Sequence, residues 1–395
     1  MSANHVSAAR RAVIRRQDGR RRKSPTIEEA FDPRNNALNA WRLAMATGVI
    51  LCHSWPLTGR RVAFEPARQL LSDVWVDGFF AISGFLITWS WFRHPRLREF
   101  FVARGLRILP GFWVCLAVIA FVIAPISVAV QGGSARGLLQ SFEPIRYLVS
   151  NSAVLMAKID VGGTPRGVPF AGQWNGSLWT LTFELLCYIA VAALGVASLL
   201  SRRWILPGLF ILALWWSVSL GPTSGVFDKP QGAGHAVDPA AAALFMEQSA
   251  ARFAVMFLAG ALLYQFRSKI PAAWSLVAGG VLIVLVASLL PNYRMVGAIP
   301  LAYAIIVSGA LMRHDWLDLR TDLSYGVYIY AWPMQQLLVI CGLAFLNPFV
   351  FAIVATIATL PLAALSWFVV EKPSLALKSR LLRKKGIPPA EGPPG

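Results

Sequence analysis

Apolar and polar positions alternate along the chain in blocks. Ten apolar segments stand at residues 38–57, 70–92, 108–130, 177–200, 204–220, 250–266, 271–290, 295–312, 322–346 and 348–370, with polar, basic or Gly/Pro-containing connections between them. Most approach the roughly 20 residues a helix needs to cross a bilayer. Because lipid offers no partner to an unpaired backbone N–H or C=O, each segment predicts a helix. The fold class expected is therefore an all-α polytopic membrane protein with about ten transmembrane helices. Two connections are long, 131–176 and 221–249, and Tyr147 to Ala157 in the first reads as an interfacial or re-entrant helix. The expected division is a basic, unpacked N-terminal arm (1–37), a membrane domain (38–374) and a basic, then Pro/Gly-rich tail (375–395).

Composition agrees with the pattern. A 56% hydrophobic chain with mean hydropathy +0.56 is too apolar for a soluble globule. A net charge of +18 would suggest nucleic acid in a soluble chain, but here the position of the charge decides its meaning. Most Lys and Arg residues fall in 1–37, 93–107, 201–203, 267–269, 313–321 and 371–395, which share one side if the first segment leaves the cytoplasm. The positive-inside bias then places both termini in the cytoplasm, with the lipid bilayer and no nucleic acid as partner, in a bacterial cytoplasmic membrane. The N-terminal arm lacks an apolar run and a small-residue cleavage site, so it does not read as a signal peptide. Cys52, Cys115, Cys187 and Cys341 are scattered without metal-ligand spacing, and no metal is expected.

Ionisable residues inside apolar segments are costly and mark candidate sites. Arg42 and His53 share the first segment, roughly 16 Å apart on a helix, a cation at its inner edge and an imidazole near its outer end. Counted from the outer ends of their segments, His53, Asp77 and Glu184 lie at roughly 6, 10 and 10 Å, so the three are expected in one layer. An imidazole beside a carboxylate suits general-base chemistry on a hydroxyl. An ion-pair cluster that only joins helices is the alternative. On the inner side Arg104 and Arg107 share a helical face near Arg42, which suits a phosphate clamp as well as membrane anchoring.

These residues carry a resemblance. Arg42 and His53 with ten residues between them, VDGFFAISGFLIT at Val76–Thr88, the Arg104/Arg107 pair, SLWTLTFE at Ser177–Glu184 and SYGVYIYAWP at Ser324–Pro333 are together similar to the membrane acyltransferase family 3. The resemblance runs from residue 38 to Glu371-Lys372-Pro373. It implies about ten spans and transfer of an acyl group, commonly acetyl from acetyl-CoA, to a hydroxyl of a carbohydrate or other acceptor. By motif match it implies His53 as catalytic histidine, Glu184 as its acidic partner, and Arg42, Arg104 and Arg107 on the acyl-CoA side. Many relatives carry a histidine in the ninth segment, where this chain has Ala331 and Trp332. The expected function is an integral-membrane O-acyltransferase acting on an envelope or exported glycan. The rival is a transporter or flippase for a lipid-linked glycan or acyl carrier, without chemistry.

Overall fold

The computed structural model describes residues 24–221, 238–314 and 321–383. Among them there are helices and no strand. In chain order these are α1 (Ile27–Ala30), α2 (Leu38–Leu57), α3 (Glu65–Arg93), α4 (Leu97–Val118), α5 (Ala124–Val130), α6 (Ala135–Gln140), α7 (Glu143–Asn151), α8 (Thr180–Val196), α9 (Ile205–Ser219), α10 (Pro239–Gln265), α11 (Trp274–Ala287), α12 (Arg294–Leu311), α13 (Ser324–Ile340), α14 (Pro348–Leu365) and α15 (Lys372–Arg383). Every one of the ten apolar segments carries a helix. Five helical runs are long and apolar enough to cross a membrane: α3, Leu97–Val130, α10, α12 and Pro348–Lys378. The two compound runs each contain a π-helical turn, Ile119–Ile123 and Ser366–Glu371.

Small residues let the helices approach closely, as expected where hydrophobic burial cannot drive association in lipid. α3 crosses α10 at Gly84 and Gly260. A Cβ on Gly84 would stand 1.9 Å from the Phe257 carbonyl oxygen, and one on Gly260 would stand 1.9 Å from that of Ala81. Phe80 and Phe253 stack nearby at 4.2 Å.

A prolonged departure from helix occurs within the bundle between Trp174 and Trp179. Pro333 inside α13 has no N–H, so the Ile329 carbonyl loses its helical donor. Asn175 Nδ2 donates to that carbonyl at 2.8 Å and Cys115 Sγ at 3.4 Å. Gln336 Nε2 donates to the carbonyls of Phe170 (2.8 Å) and Gln173 (2.9 Å), and Tyr328 Oη to that of Ser177 (3.2 Å). Residues 170–179 thus lie along α13 with their backbone satisfied by side chains, the condition under which irregular backbone survives at membrane depth.

Three expectations are revised. The segment expected to be helical from residue 177 starts its helix at Thr180, because residues 170–179 pair with α13 instead. In the long connection 131–176, the helix that contains Tyr147 is α7, ending at Asn151 rather than Ala157; Asn151 turns its side chain onto Lys158, donating to the carbonyl and accepting from the N–H. The arm and tail are partly packed. α1 begins with a Thr26/Glu29 capping box, buries Ile27 completely and bonds through Ile27 N to the Ile270 carbonyl at 2.9 Å. α15 carries the chain through Arg383, and Arg98 donates to the Leu381 carbonyl at 3.2 Å. The rest of the basic arm (1–23), most of the 221–249 connection (222–237), residues 315–320 and the Pro/Gly-rich end of the tail (384–395) lie outside the described residues.

The Gly84/Gly260 crossing generates a direct prediction. Gly84→Val should lower the detergent-solubilised melting temperature by an amount matching about 1–3 kcal/mol of overpacking, whereas Gly208→Ala, whose Cβ meets nothing within 4 Å, should change it little. Equal melting of the two variants by size-exclusion thermostability would contradict the close crossing.

Candidate active site

The sequence candidates occupy two separate spaces. His53 lies four residues before the end of α2 and lines a cavity of about 830 Å³, also bordered by Cys52, Trp55, Gly176, Trp179 and Trp332. Its ring meets Trp332 edge-to-face, with centroids 4.7 Å apart and planes at 75°. Trp332 is itself held. Phe170 packs edge-on at 5.4 Å, the indole N–H donates to the Gln173 carbonyl at 3.3 Å, and a Cβ on Gly176 would lie 2.7 Å from the indole ring. The irregular segment therefore positions the tryptophan, and the tryptophan packs against the histidine. His53 Nδ1 is shielded from solvent and has no hydrogen-bond partner among the described residues. Such an unmatched buried nitrogen is uncommon in a finished core.

A buried ionic lattice forms the next wall of this cavity. Asp73 and Asp77 sit one turn apart on α3 and receive Arg252 from α10 and Arg294 from the start of α12. Arg252 reaches Asp77 at 2.7 Å and Asp73 at 3.0 Å, and Arg294 reaches both at 2.6 Å. The Tyr293 hydroxyl donates to Asp77 Oδ2, the oxygen that Arg294 also reaches, and Asp77 is fully buried. Two guanidiniums against two carboxylates balance in charge, and every partner is needed, since removing one leaves an uncompensated buried charge.

The second space is a narrow cleft of about 40 Å³ lined by Arg42, Phe79, Ser83, Thr180, Glu184 and Tyr328, among others. Trp179 faces the large cavity and the adjacent Thr180 faces the cleft, so the start of α8 divides the two. Thr180 Oγ1 and Tyr328 Oη close the divide with a 2.6 Å hydrogen bond. Glu184 accepts from the Tyr188 hydroxyl and, at 3.4 Å, from Ser83.

Near the start of α2, Asp322 receives Arg42 at 3.1 Å and also Arg107. Burial opposes ionisation of Asp322, but Arg42 and Arg107, helped by hydrogen bonds from Ser324, outweigh it and hold the carboxyl down to about 2 from an ordinary 3.8. Arg107 also lies 3.9 Å from Glu371, which the π-helical turn brings within 2.9 Å of the Ser366 hydroxyl. Arg104 packs against the rings of Phe100 (5.7 Å) and Tyr188 (5.9 Å), and its Nε is buried without a partner.

The structure therefore joins Arg42 to Arg107 through Asp322, with Arg104 alongside Tyr188, and separates the expected layer of three. Asp77 belongs to the lattice with Arg252 and Arg294, and Glu184 belongs to the cleft with Arg42; no hydrogen bond joins either to His53 among the described residues. Depth alone placed them together. Glu184 is displaced because α8 starts only at Thr180, well down α13. Asp322, Glu371, Trp332, Arg252 and Arg294 were not assigned site roles from sequence. A lone carboxylate at the very start of an apolar segment, as at Asp322, gives no periodic signal.

A family model described as an acyltransferase domain matches residues 35–368. The chain belongs to the membrane acyltransferase family 3. Among curated relatives, Nodulation protein 10 of Rhizobium leguminosarum bv. viciae is 27% identical over 391 residues, covering 91% of this chain and 98% of the relative. The O-acetyl transferase of Shigella phage Sf6 is 26% identical over 364 residues, 88% of this chain and 98% of the relative. No solved structure matches. Membership in this acyltransferase family, with five membrane-length apolar runs, makes the chain an integral-membrane acyltransferase. An acyl donor is implied, and no cluster of three or more metal-ligating side chains occurs among the described residues.

The Asp322 clamp predicts a pH dependence. Its carboxyl is lowered in the folded state, so its stabilisation is present above about pH 4 and is lost as pH falls toward 2. Asp322→Asn should cost about 3–5 kcal/mol at neutral pH, read as a lower melting temperature, and the gap to wild type should narrow between pH 4 and pH 2. A gap independent of pH would contradict the clamp.

Proposed function

We propose that this protein is an O-acyltransferase that moves an acyl group, in the first instance acetyl, from cytoplasmic acyl-CoA to a hydroxyl of an envelope or exported carbohydrate. The observation that carries this reading is the single helix α2, which presents Arg42 to the inner cleft and His53 to the outer cavity, roughly 16 Å apart. That separation matches the length scale of an extended pantetheine arm. The unpartnered Arg104 Nε and the half-buried Arg42 suit the phosphates of the donor. Asp322 keeps two of the guanidiniums from folding away when no phosphate is present.

In this reading His53 takes the proton of the acceptor hydroxyl as its oxygen attacks the thioester carbonyl. The C–S bond breaks, and the proton passes to the departing thiolate of coenzyme A. With Nδ1 unbonded, the imidazole is oriented by Trp332 rather than by a carboxylate. Asp77 acts at one remove by bracing the cavity wall, and Glu184 acts from the donor side through Tyr188. For the pantetheine arm to reach His53, the Thr180–Tyr328 divide has to open. The proposed topology has ten spans with both termini cytoplasmic and residue 165 on the opposite side. A transporter without chemistry is disfavoured by the buried, unpartnered Nδ1 of His53, which a transport path does not require.

Two measurements test these statements. With purified protein, labelled acetyl-CoA and candidate glycans, His53→Ala should reduce label transfer by about 10²- to 10⁴-fold while the variant still elutes as a folded species. Glu184→Gln should reduce transfer independently, so that the two losses multiply; a double variant no worse than His53→Ala alone would restore the direct pairing. Cysteine-accessibility labelling should place residues 5 and 385 inside and 165 outside; labelling of 165 from the cytoplasm would overturn the topology.

A further inference from the structure

The outer cavity holds more positive charge than its own carboxylates neutralise. Eight His, Asp, Glu and Arg side chains line it, His53 and seven others. Asp73 and the buried Asp77 behind it balance Arg252 and Arg294, and Glu65 balances Arg68 at 2.9 Å. Two cations remain, Arg60 and Arg61, both exposed in the turn that follows α2. Arg60 donates to the carbonyls of Ala344, Phe345 and Leu346 at 3.2, 3.0 and 2.6 Å, which fixes its position without cancelling its charge. Arg61 makes no ion pair or side-chain hydrogen bond among the described residues.

The rest of the wall is aromatic. Trp55, Trp179, Trp332 and Phe245 border the same space as the arginines and His53. Flat indole faces suit the C–H faces of a sugar ring, and a volume of about 830 Å³ lies in the range of sites that enclose a small-molecule ligand. Neutral sugars would need the tryptophans but not the two uncompensated guanidiniums. Arginine forks match the paired oxygens of a carboxylate or phosphate, and the low-dielectric wall behind them strengthens the attraction.

Resting on the acyltransferase reading of this site, we propose that the acceptor is an anionic saccharide, whose hydroxyl-bearing ring stacks in the tryptophan-lined cavity while a carboxylate or phosphate group engages Arg61 and Arg60 at the mouth. Transfer itself stays at His53, which lines the same cavity as the two arginines. The anionic group sets affinity and orientation and takes no part in bond making.

Binding and turnover are measured separately. Purified full-length protein in neutral-lipid nanodiscs is titrated calorimetrically with three oligosaccharides of equal length: a uronic-acid chain, a phosphate-bearing chain and a neutral hexose chain. Either acidic chain should bind on the order of tenfold or more tightly than the neutral one, with the preference falling as salt is raised. The acidic chain that wins identifies carboxylate or phosphate as the group recognised. Arg61→Glu should remove the preference, and Arg136→Gln, an exposed cation elsewhere on the outer loop, should leave it intact. Neutral binding as tight as acidic, or a preference untouched by Arg61→Glu, overturns the proposal. Label transfer from acetyl-CoA is then followed in the same samples. Acid-selective binding without transfer supports the anionic site and refutes acyl transfer instead, whereas transfer to all three chains at equal KM refutes the anionic acceptor and leaves the acyltransferase reading standing.

Discussion

The arrangement depends on one missing hydrogen bond. Pro333 removes the donor that would have satisfied the Ile329 carbonyl, and within a membrane bundle that oxygen has to be met by protein. Asn175 meets it, and in doing so draws a ten-residue irregular segment down the side of α13. From this follow the late start of α8 at Thr180, the seating of Gly176 under the Trp332 ring, and the placement of Trp332 against His53. The same segment supplies Trp179 to the His53 cavity, and the adjoining Thr180 lines the Arg42 cleft. A backbone requirement thus shapes both chambers and the wall between them.

The two chambers are stabilised by different electrostatic arrangements. Around the His53 cavity, Asp73, Asp77, Arg252 and Arg294 form a closed set joining α3, α10 and α12, with each guanidinium bridging both carboxylates. Such a lattice gains little net energy from burial, yet it fixes the register of three helices because any partial match is strongly penalised. Around the cleft at Arg42, Asp322 is shared by Arg42 and Arg107, Glu371 lies 3.9 Å from Arg107, and Arg104 Nε is buried with no hydrogen-bond partner among the described residues.

Much of this was legible in the chain. The apolar blocks gave a helix in every case, and the three-residue spacing of Arg104 and Arg107 agrees with their lying on one face, where Arg42 and Arg107 share Asp322. What failed was the shared layer of His53, Asp77 and Glu184. Depth along a helix says nothing about the face a side chain presents, and the count for Glu184 assumed a helix from residue 177 that Asn175 prevents. Arg252 and Arg294 lie 175 and 217 residues from Asp77, a separation at which no local pattern announces a partner. The departure at Ala331-Trp332 was visible, but its meaning was not: the tryptophan occupies the space beside His53 and holds it by ring packing.

The central claim is that one substrate spans both chambers, with phosphates at the arginines and its reactive carbon at His53. It is tested most directly by a cryo-electron microscopy map of the full-length protein with a non-transferable thioether analogue of acetyl-CoA. The account predicts nucleotide density against Arg42, Arg104 and Arg107, a pantetheine arm passing between Thr180 and Tyr328 with their hydrogen bond broken, and the acetyl-bearing end beside His53 and Trp332. Nucleotide density in the outer cavity against Arg60 and Arg61, with the Thr180–Tyr328 contact intact, would contradict it.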